Sequence, residues 1–293
     1  VLINLNCFHS LFTISMFKLW GIIARSARIL YVKPTMNKIK MSVQLNYKLE
    51  GAGHTIVLIH GLFGNLDNLG LLARDLKADH QVLSIDLRNH GQSFHSDTHD
   101  YKAMAQDVAQ LLNDLELNDV TVIGHSMGGK VAMALTQHLT LHKLIVLDMA
   151  PVAYTQSRHD NVFAGLQAVI EEKPTSRSDA LKILAKHIEI DGVRQFLTKS
   201  LFKTEQGIME WRFNVASLLS NYPQIIGWEP IEKTSVKTLL IKGGDSDYLT
   251  AEHQTAVQQQ FSNAKAHVIA NTGHWLHAEK PAEVLRAIRK FIA

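Results

Sequence analysis

The chain has 293 residues, 46% of them hydrophobic, which is enough to bury one large core and accommodate an insertion. Its net charge is only +3, and the excess comes from seven Lys and Arg in residues 1–49, because residues 50–293 hold 23 basic and 27 acidic side chains. This balance argues against a nucleic-acid partner. The single cysteine, Cys7, excludes a disulfide framework and a cysteine-based metal site.

Residues 1–40 are set apart from the fold. The stretch Val1–Ala24 is apolar, but polar residues interrupt it too often for a membrane span, and it lacks the pattern of a secretory signal. Because Met36 and Met41 precede the first strand-like pattern, we expect translation to begin at one of them, with a transit peptide as the alternative. We predict a cytoplasmic protein without stable membrane association.

From Val43 onward, short β-branched runs alternate with helix-period segments, a pattern typical of βα units. The predicted strands are Thr55–His60, Gln81–Leu87, Val120–Gly124, Lys143–Asp148, Lys237–Lys242 and Ala266–Ala270. The predicted helices lie near 67–78, 102–116, 127–139, 251–261 and 281–292. Since several of the strands are continuously apolar, we predict an α/β fold whose mostly parallel sheet is flanked by helices.

Residues 151–235 interrupt this alternation. They contain helix-period patterns but no convincing strand, and at about 85 residues they are too long for an ordinary loop. We therefore predict an α/β core made of residues 41–150 and 236–293. Residues 151–235 are expected to form an inserted helical cap that serves as a lid over the active site.

The pentapeptide Gly124–Gly128 has the pattern G-x-S-x-G and lies between a predicted strand and a predicted helix. A nucleophile elbow requires this context, because small residues on both sides of the serine relieve crowding in a strained turn. The sequence therefore predicts that Ser126 is a nucleophile.

A serine nucleophile needs two N–H donors for the oxyanion of the tetrahedral intermediate. We expect one from Met127, which follows the nucleophile, and the other from Leu62 in the glycine-containing loop after the first predicted strand. A simple glycine turn is the alternative interpretation of that loop.

The general base is expected to be His274. It follows the last predicted strand and precedes the terminal helix, in the chain order serine, acid, histidine. His277 is only three residues away and could compete with it. The acid is open at this point, because Asp148 ends one strand while Asp245 and Asp247 follow the next, and either turn could direct a carboxylate at the base.

Six segments together resemble the YbfF-type bacterial esterases, which are relatives of the mammalian abhydrolase-domain 11 proteins. They are His60–Asn65, Asp86–Gly91, Gly124–Lys130, Asp148–Pro151, Trp211–Asn214 and Gly273–Pro281. The resemblance covers about residues 42–293. It implies the α/β-hydrolase fold and activity on short-chain esters and on acyl-CoA thioesters. It also implies Asp148 as the acid, because that family places the acid after the strand that follows the nucleophile helix; the commoner acid position would here be Ser246, which cannot serve.

Several other residues have two interpretations. Arg158 and Arg212 could bind an anionic group of the substrate, or each could pair with an acidic neighbour and fix the cap. Trp211 could line an acyl pocket, although aromatic residues at helical spacing usually belong to the core. The segment Arg88–Gly91 is expected to shape a loop beside the site without a role in the chemistry, and Asp86 to form a structural turn.

The sequence predicts a carboxylic-ester or thioester hydrolase that acts on small molecules and needs neither a cofactor nor a metal, because no metal-ligand or nucleotide-binding pattern occurs. A carbon–carbon bond hydrolase that uses the same catalytic groups is the alternative, and a silent binding module is a more distant one. Neither the physiological acyl group nor the oligomeric state follows from the sequence.

Overall fold

A central sheet organises residues 44–293, the part of the chain that the computed structural model describes. The expectations for residues 1–40 lie outside this range. The strands are β1 (Tyr47–Glu50), β2 (Thr55–Ile59), β3 (Gln81–Ile85), β4 (Thr121–His125), β5 (Lys143–Leu147), β6 (Leu201–Lys203), β7 (Met209–Trp211), β8 (Lys237–Gly243) and β9 (Ala264–Ile269). Seven of them form the sheet in the order β1-β3-β2-β4-β5-β8-β9, in which only the β1–β3 pair is antiparallel.

Helices cover both faces of this sheet. They are α1 (Gly70–Leu76), α2 (Tyr101–Asp114), α3 (Met127–Leu135), α4 (Asp160–Glu172), α5 (Arg177–Ala185), α6 (Asp191–Thr198), α7 (Val215–Ser220), α8 (Tyr222–Ile226), α9 (Gln254–Gln260), α10 (Leu276–Glu279) and α11 (Pro281–Ile292), with a 3₁₀ turn at Ala251–His253. None of the helices in residues 44–293 combines the length and hydropathy needed to cross a membrane.

The central strands of the sheet are buried on both faces, and most of their residues are apolar. Every residue of β2, β4 and β5 is buried. Side chains of α2 and α3 belong to the apolar cluster on one face, and those of α1 and α11 to the cluster on the other. This arrangement confirms the predicted α/β fold, a mostly parallel sheet flanked by helices.

The order in which the strands are added to the sheet switches from one side of β2 to the other. After β2 it forms β3 on one side, and it then crosses to form β4 on the other side. A crevice forms at such a switch point, at the carboxyl ends of the strands. The turns that follow β2 and β4 therefore meet where the sequence predicts an oxyanion loop and a nucleophile.

The segment between β5 and β8 contains helices α4–α8 and one short antiparallel pair, β6 with β7. The prediction that residues 151–235 contain no strand is therefore wrong for this pair. One of the helix-period patterns in this segment runs over Val193–Phe202, but α6 ends at Thr198, because Leu201–Lys203 pairs with Met209–Trp211. Strands of three residues are too short to show an alternation of apolar and polar side chains.

Candidate active site

Ser126 occupies a sharp turn between β4 and α3. Its backbone has φ 54° and ψ −121°, an unfavourable conformation for a residue with a Cβ atom. The turn is possible because of its flanking glycines, since a Cβ at Gly124 would lie 2.2 Å from Gly128 O and one at Gly128 would lie 2.3 Å from His60 O. The strained turn therefore depends on the G-x-S-x-G pattern.

A chain of hydrogen bonds joins Ser126, His274 and Asp148. His274 Nε2 lies 2.9 Å from Ser126 Oγ, and His274 Nδ1 lies 2.7 Å from Asp148 Oδ2. The three residues follow β4, β9 and β5, so the carboxyl edge of the sheet brings together groups that are more than 120 residues apart in two of the three pairs. The imidazole can therefore exchange a proton with the serine while the carboxylate holds its other nitrogen.

The carboxylate of Asp148 is fully buried at the end of β5. Besides His274, it accepts a hydrogen bond from the Gly243 N–H at 2.9 Å and one from the Ser246 hydroxyl. Ser246 occupies the commoner acid position, and there it donates a hydrogen bond to the Asp148 carboxylate. Donors on both oxygens offset the cost of burying this charge.

The two alternative acids lie elsewhere. Asp247 forms an ion pair with Arg158 at 2.5 Å, and 70% of its side chain is exposed. Asp245 is exposed and makes no side-chain hydrogen bond within residues 44–293. Neither carboxylate is a partner of the His274 ring, so the geometry favours Asp148.

His274 is also held by aromatic rings. The Tyr248 ring stacks on the His274 ring, with the two centroids 3.9 Å apart and an interplanar angle of 22°. The Arg158 guanidinium in turn lies 4.4 Å from the centroid of the Tyr248 ring. His125 Nε2 donates to the carbonyl of His274 at 2.9 Å. Sequence reasoning missed Tyr248, because a tyrosine in a turn belongs to no motif.

Arg158 pairs with Asp247 and lies against the Tyr248 ring, which agrees with the second of its two predicted interpretations. It also borders a cavity that Ser126 lines, so its contact with an anionic substrate stays a prediction.

Three further histidines surround this centre. Burial lowers the pKa of His159 and of His277 to about 4, and it places the pKa of His125 well below the ordinary value. They are therefore neutral at pH 7 and do not repel an imidazolium that forms on His274. His277, the competing base, is buried against the ring of His125 at 4.3 Å and makes no hydrogen bond to Ser126.

The two expected oxyanion donors lie beside the serine. Leu62, Ser126 and Met127 line one cavity together, and neither the Leu62 N–H nor the Met127 N–H donates to an atom of residues 44–293. An N–H group without an internal partner is available to a ligand. These two groups can therefore meet a substrate oxygen.

Two cavities meet at Ser126. The larger, of about 260 Å³, is bordered by His274, Trp275 and residues of α6, and the smaller, of about 30 Å³, by Met127, Tyr222 and Tyr248. His159, in the segment between β5 and β8, lines both.

The remaining residues singled out from the sequence lie away from these cavities. Arg212 is exposed, with its guanidinium 4.9 Å from the centroid of the Phe202 ring. Trp211 is buried, stacks on Phe213 and donates its indole N–H to Leu166 O at 3.2 Å, as a core residue does. Across residues 44–293, no group of three or more His, Cys, Asp or Glu is arranged to hold a metal ion.

Comparison with known proteins gives consistent results. A model described as the alpha/beta hydrolase family matches residues 56–287. Esterase YbfF of Escherichia coli (strain K12) is 48% identical over 239 residues, which cover 81% of this chain and 92% of that protein. The sn-1-specific diacylglycerol lipase ABHD11 of Mus musculus is 36% identical over 81% of this chain and 80% of its own length. These matches confirm the resemblance predicted from the sequence.

Among solved structures, a marine microorganism esterase has a TM-score of 0.82 and 33% sequence identity to this chain. The match covers 85% of this chain and 100% of that one. The similarity therefore extends over the sheet, the helices and the segment between β5 and β8.

Proposed function

The chain belongs to the α/β-hydrolase family, and from this membership we propose that it is a serine hydrolase that cleaves carboxylic esters of small molecules. The proposal rests above all on the hydrogen-bonded chain from Ser126 through His274 to Asp148. The likeness to Esterase YbfF supports the same reaction class.

In the acylation step, His274 Nε2 takes the hydroxyl proton of Ser126 while Oγ attacks the acyl carbon and an electron pair moves onto the carbonyl oxygen. Collapse of this intermediate breaks the ester C–O bond, and the alkoxide leaves with the proton from His274. Water then repeats the sequence: His274 takes its proton, the oxygen adds to the acyl carbon, and the Ser126 oxygen leaves with that proton. Asp148 stabilises the imidazolium in both steps.

The oxyanion is assigned to the N–H groups of Leu62 and Met127. They are backbone donors in fixed loops, so they need little reorganisation when charge develops on the substrate oxygen. The first turn of α3 lies behind Met127 and adds the positive end of a short helix dipole.

The two cavities support an assignment of the two halves of the ester. The leaving oxygen must receive its proton from His274, so we assign the leaving group to the larger cavity, which His274 and Trp275 border. The acyl group then enters the smaller cavity of about 30 Å³. At roughly 10–15 Å³ for each water-sized group, this space holds about two or three such groups. A short acyl chain follows, and residues 151–235 act as a cap that closes both cavities.

A thioester has the same acyl carbon and a better leaving group, so the proposal extends to acyl-CoA thioesters of short acids. The larger cavity would take the thiol portion. Hydrolysis of butyryl-CoA, followed by colorimetric detection of the free thiol, tests this extension separately from ester hydrolysis. Absence of thiol release alongside ester hydrolysis would restrict the enzyme to oxygen esters.

The deciding experiment compares hydrolysis of p-nitrophenyl butyrate by the unmodified protein and by Ser126→Ala. We expect kcat to fall by roughly 10⁴-fold or more, because the variant lacks the nucleophile. Ser262→Ala is the matched control, since Ser262 is exposed and bonds only to Thr234. Equal activity in Ser126→Ala would reject the serine mechanism. An inactive unmodified protein would point to another reaction of this family, such as carbon–carbon bond hydrolysis.

A further inference from the structure

Two buried histidines border the loop that contains Leu62. His60 directly follows β2 and is 1% exposed, and His90 lies in the loop after β3 and is fully buried. Their ring centroids are 5.1 Å apart. The segment Arg88–Gly91 is expected from its sequence to shape a loop beside the site without a role in the chemistry, and these contacts connect it to the predicted oxyanion loop.

Each histidine binds the loop of the other. His60 Nε2 accepts a hydrogen bond from the Leu87 N–H in the β3 loop at 3.1 Å. His90 Nε2 accepts one from the Phe63 N–H in the β2 loop, also at 3.1 Å. The exchange is reciprocal, so the two loops are fixed relative to each other at the carboxyl edge of the sheet.

The second nitrogen of each ring fixes its tautomer. His60 Nδ1 lies 2.7 Å from Gly61 O, and His90 Nδ1 lies 3.0 Å from Arg88 O. Carbonyl oxygens only accept, so both Nδ1 atoms carry the proton and both Nε2 atoms are free to accept. Burial lowers the pKa of both rings, which keeps them neutral.

These bonds hold both peptide groups that flank the Cα atom of Leu62. A trans peptide group is planar, with its N–H opposite its C=O, so anchoring Gly61 O to His60 sets the direction of the Leu62 N–H. The next peptide group, between Leu62 and Phe63, contains the Phe63 N–H, which donates to His90 Nε2. Phe63 has φ 61°, a left-handed conformation that is unfavourable for a bulky residue and needs such support.

The loop that provides His90 is itself anchored on two sides. Arg88 donates from Nε and Nη2 of its guanidinium to the two carboxylate oxygens of Asp107 in α2, at 2.5 and 2.7 Å. Asn89 accepts from the Asn214 N–H at 2.9 Å and donates to the Ser217 hydroxyl at 3.1 Å, at the start of α7. The loop that provides His90 is therefore held in place, and His90 contacts the Leu62 loop from this fixed position.

We propose that His90 is a positioning residue for the oxyanion hole: with His60, it holds the Leu62 N–H in the direction in which the substrate oxyanion forms. The inference rests on the proposed function, because it assumes that Leu62 donates to the oxyanion. His90 does not touch the substrate. It acts through the backbone of Phe63, and its loss affects the transition state more than ground-state binding.

The test uses His90→Leu and His90→Gln. Leucine is apolar and cannot accept from the Phe63 N–H, whereas the Oε1 of glutamine can reach the position of Nε2. A misplacement of about 1 Å costs roughly 100-fold in rate. We expect His90→Leu to lower kcat for p-nitrophenyl butyrate by roughly 10–100-fold with little change in KM, and His90→Gln to recover most of it.

Inhibition by butylboronic acid gives a second measurement. The Ser126 adduct is tetrahedral and places a boronate oxygen between the two N–H donors, so its Ki is expected to rise in His90→Leu by the same factor as kcat falls. A structural defect alone would lower the melting temperature without this parallel change.

The matched control is His99→Leu. His99 is also buried, and its ring lies 5.5 Å from that of His90, but it bonds to Asn89 and not to the Leu62 loop. We expect its kcat to stay near that of the unmodified protein. Equal losses in the two leucine variants, or an unchanged kcat in His90→Leu, would overturn the inference.

If His90→Leu fails to fold, His90→Asn provides the same comparison with His90→Gln, because its shorter amide cannot reach the Phe63 N–H. Equal kcat in those two variants would also overturn the inference. The Ser126→Ala result separates the two levels: a loss of activity there with no effect at His90 rejects only the role of His90.

Discussion

At the residue scale, the environment of Asp148 determines what His274 can do. The carboxylate has no exposed surface and receives hydrogen bonds from His274, Gly243 and Ser246. Asp148 also adopts φ 52°, which turns it away from the line of β5. The protein thus accepts an unfavourable backbone conformation and a buried charge at the residue that orients the proposed base.

Asp148→Asn is expected to keep the shape of this site and remove its charge. An amide cannot stabilise the imidazolium as a carboxylate does, and its NH₂ group favours the wrong His274 tautomer. We expect kcat for p-nitrophenyl butyrate to fall by roughly 10⁴-fold, the scale of this substitution in a serine protease. Steady-state kinetics measure the loss, with the exposed Asp245→Asn as the control that keeps its activity. A larger loss in Asp245→Asn or Asp247→Asn would move the acid to the turn after β8.

At the scale of elements, the junction of β4 and α3 depends on close packing between backbones. The first turn of α3 contacts the end of β2 where Gly128 leaves no room for a side chain: a Cβ there would lie 2.3 Å from His60 O and 2.4 Å from Ile59 O. Backbone atoms cannot move aside as the tip of a flexible side chain can. The position of Ser126 therefore depends on a helix fitted against a neighbouring strand.

Gly128→Ala tests this packing. We expect the free energy of unfolding to fall by about 1–3 kcal/mol, the usual cost of inserting a methyl group into a filled space, together with a loss of activity. Gly70→Ala at the start of α1 is the matched control, because a Cβ there has no neighbour within 4 Å. Urea denaturation measures both variants, and equal stability of the two would contradict this account.

Much of the sheet could be predicted from the sequence because its strands are short, apolar and regularly spaced. The observed β2, β3, β4, β5, β8 and β9 all overlap their predicted ranges. β1 was missed since its burial is only partial and its polar residues resemble a loop. β6 and β7 were missed because strands of three residues show no period.

The candidate site was predictable where a local pattern specifies it. Ser126 and His274 were placed by motif and chain order. The choice of Asp148 needed the resemblance, because spacing cannot tell which turn faces a histidine 126 residues away. The contacts of Tyr248 and His90 depend on tertiary packing alone, so no sequence pattern could indicate them.

At the scale of the whole molecule, several histidines share two properties: they are buried, and burial keeps them neutral. Among residues 44–293, five are buried: His60, His90, His99, His125 and His277. Burial lowers the pKa of each, to about 3 for His99 and to about 4 for His277. Three of them, His60, His90 and His125, form hydrogen bonds that hold loops at the carboxyl edge of the sheet.

This neutrality makes the fold sensitive to acid. Below pH 6.5 the unfolded chain takes up protons on these rings and the folded protein takes up fewer, so the free energy of unfolding falls as the pH falls. His99 and His277, whose pKa values in the folded protein are about 3 and about 4, each contribute about 1.4 kcal/mol per pH unit between pH 6 and pH 4, and the other three rings act in the same direction. We expect the urea concentration at the midpoint of unfolding to fall steadily as the pH is lowered from 6 to 4, observable by circular dichroism.

His99→Leu isolates one of these protons. Between pH 6 and pH 4 its stability in urea should fall less steeply than that of the unmodified protein, by about 1.4 kcal/mol per pH unit. An identical slope would contradict the account. The buried imidazoles, among them the three that hold loops beside Ser126, thus make proton uptake a route to unfolding, and they limit the acidity in which the protein can work.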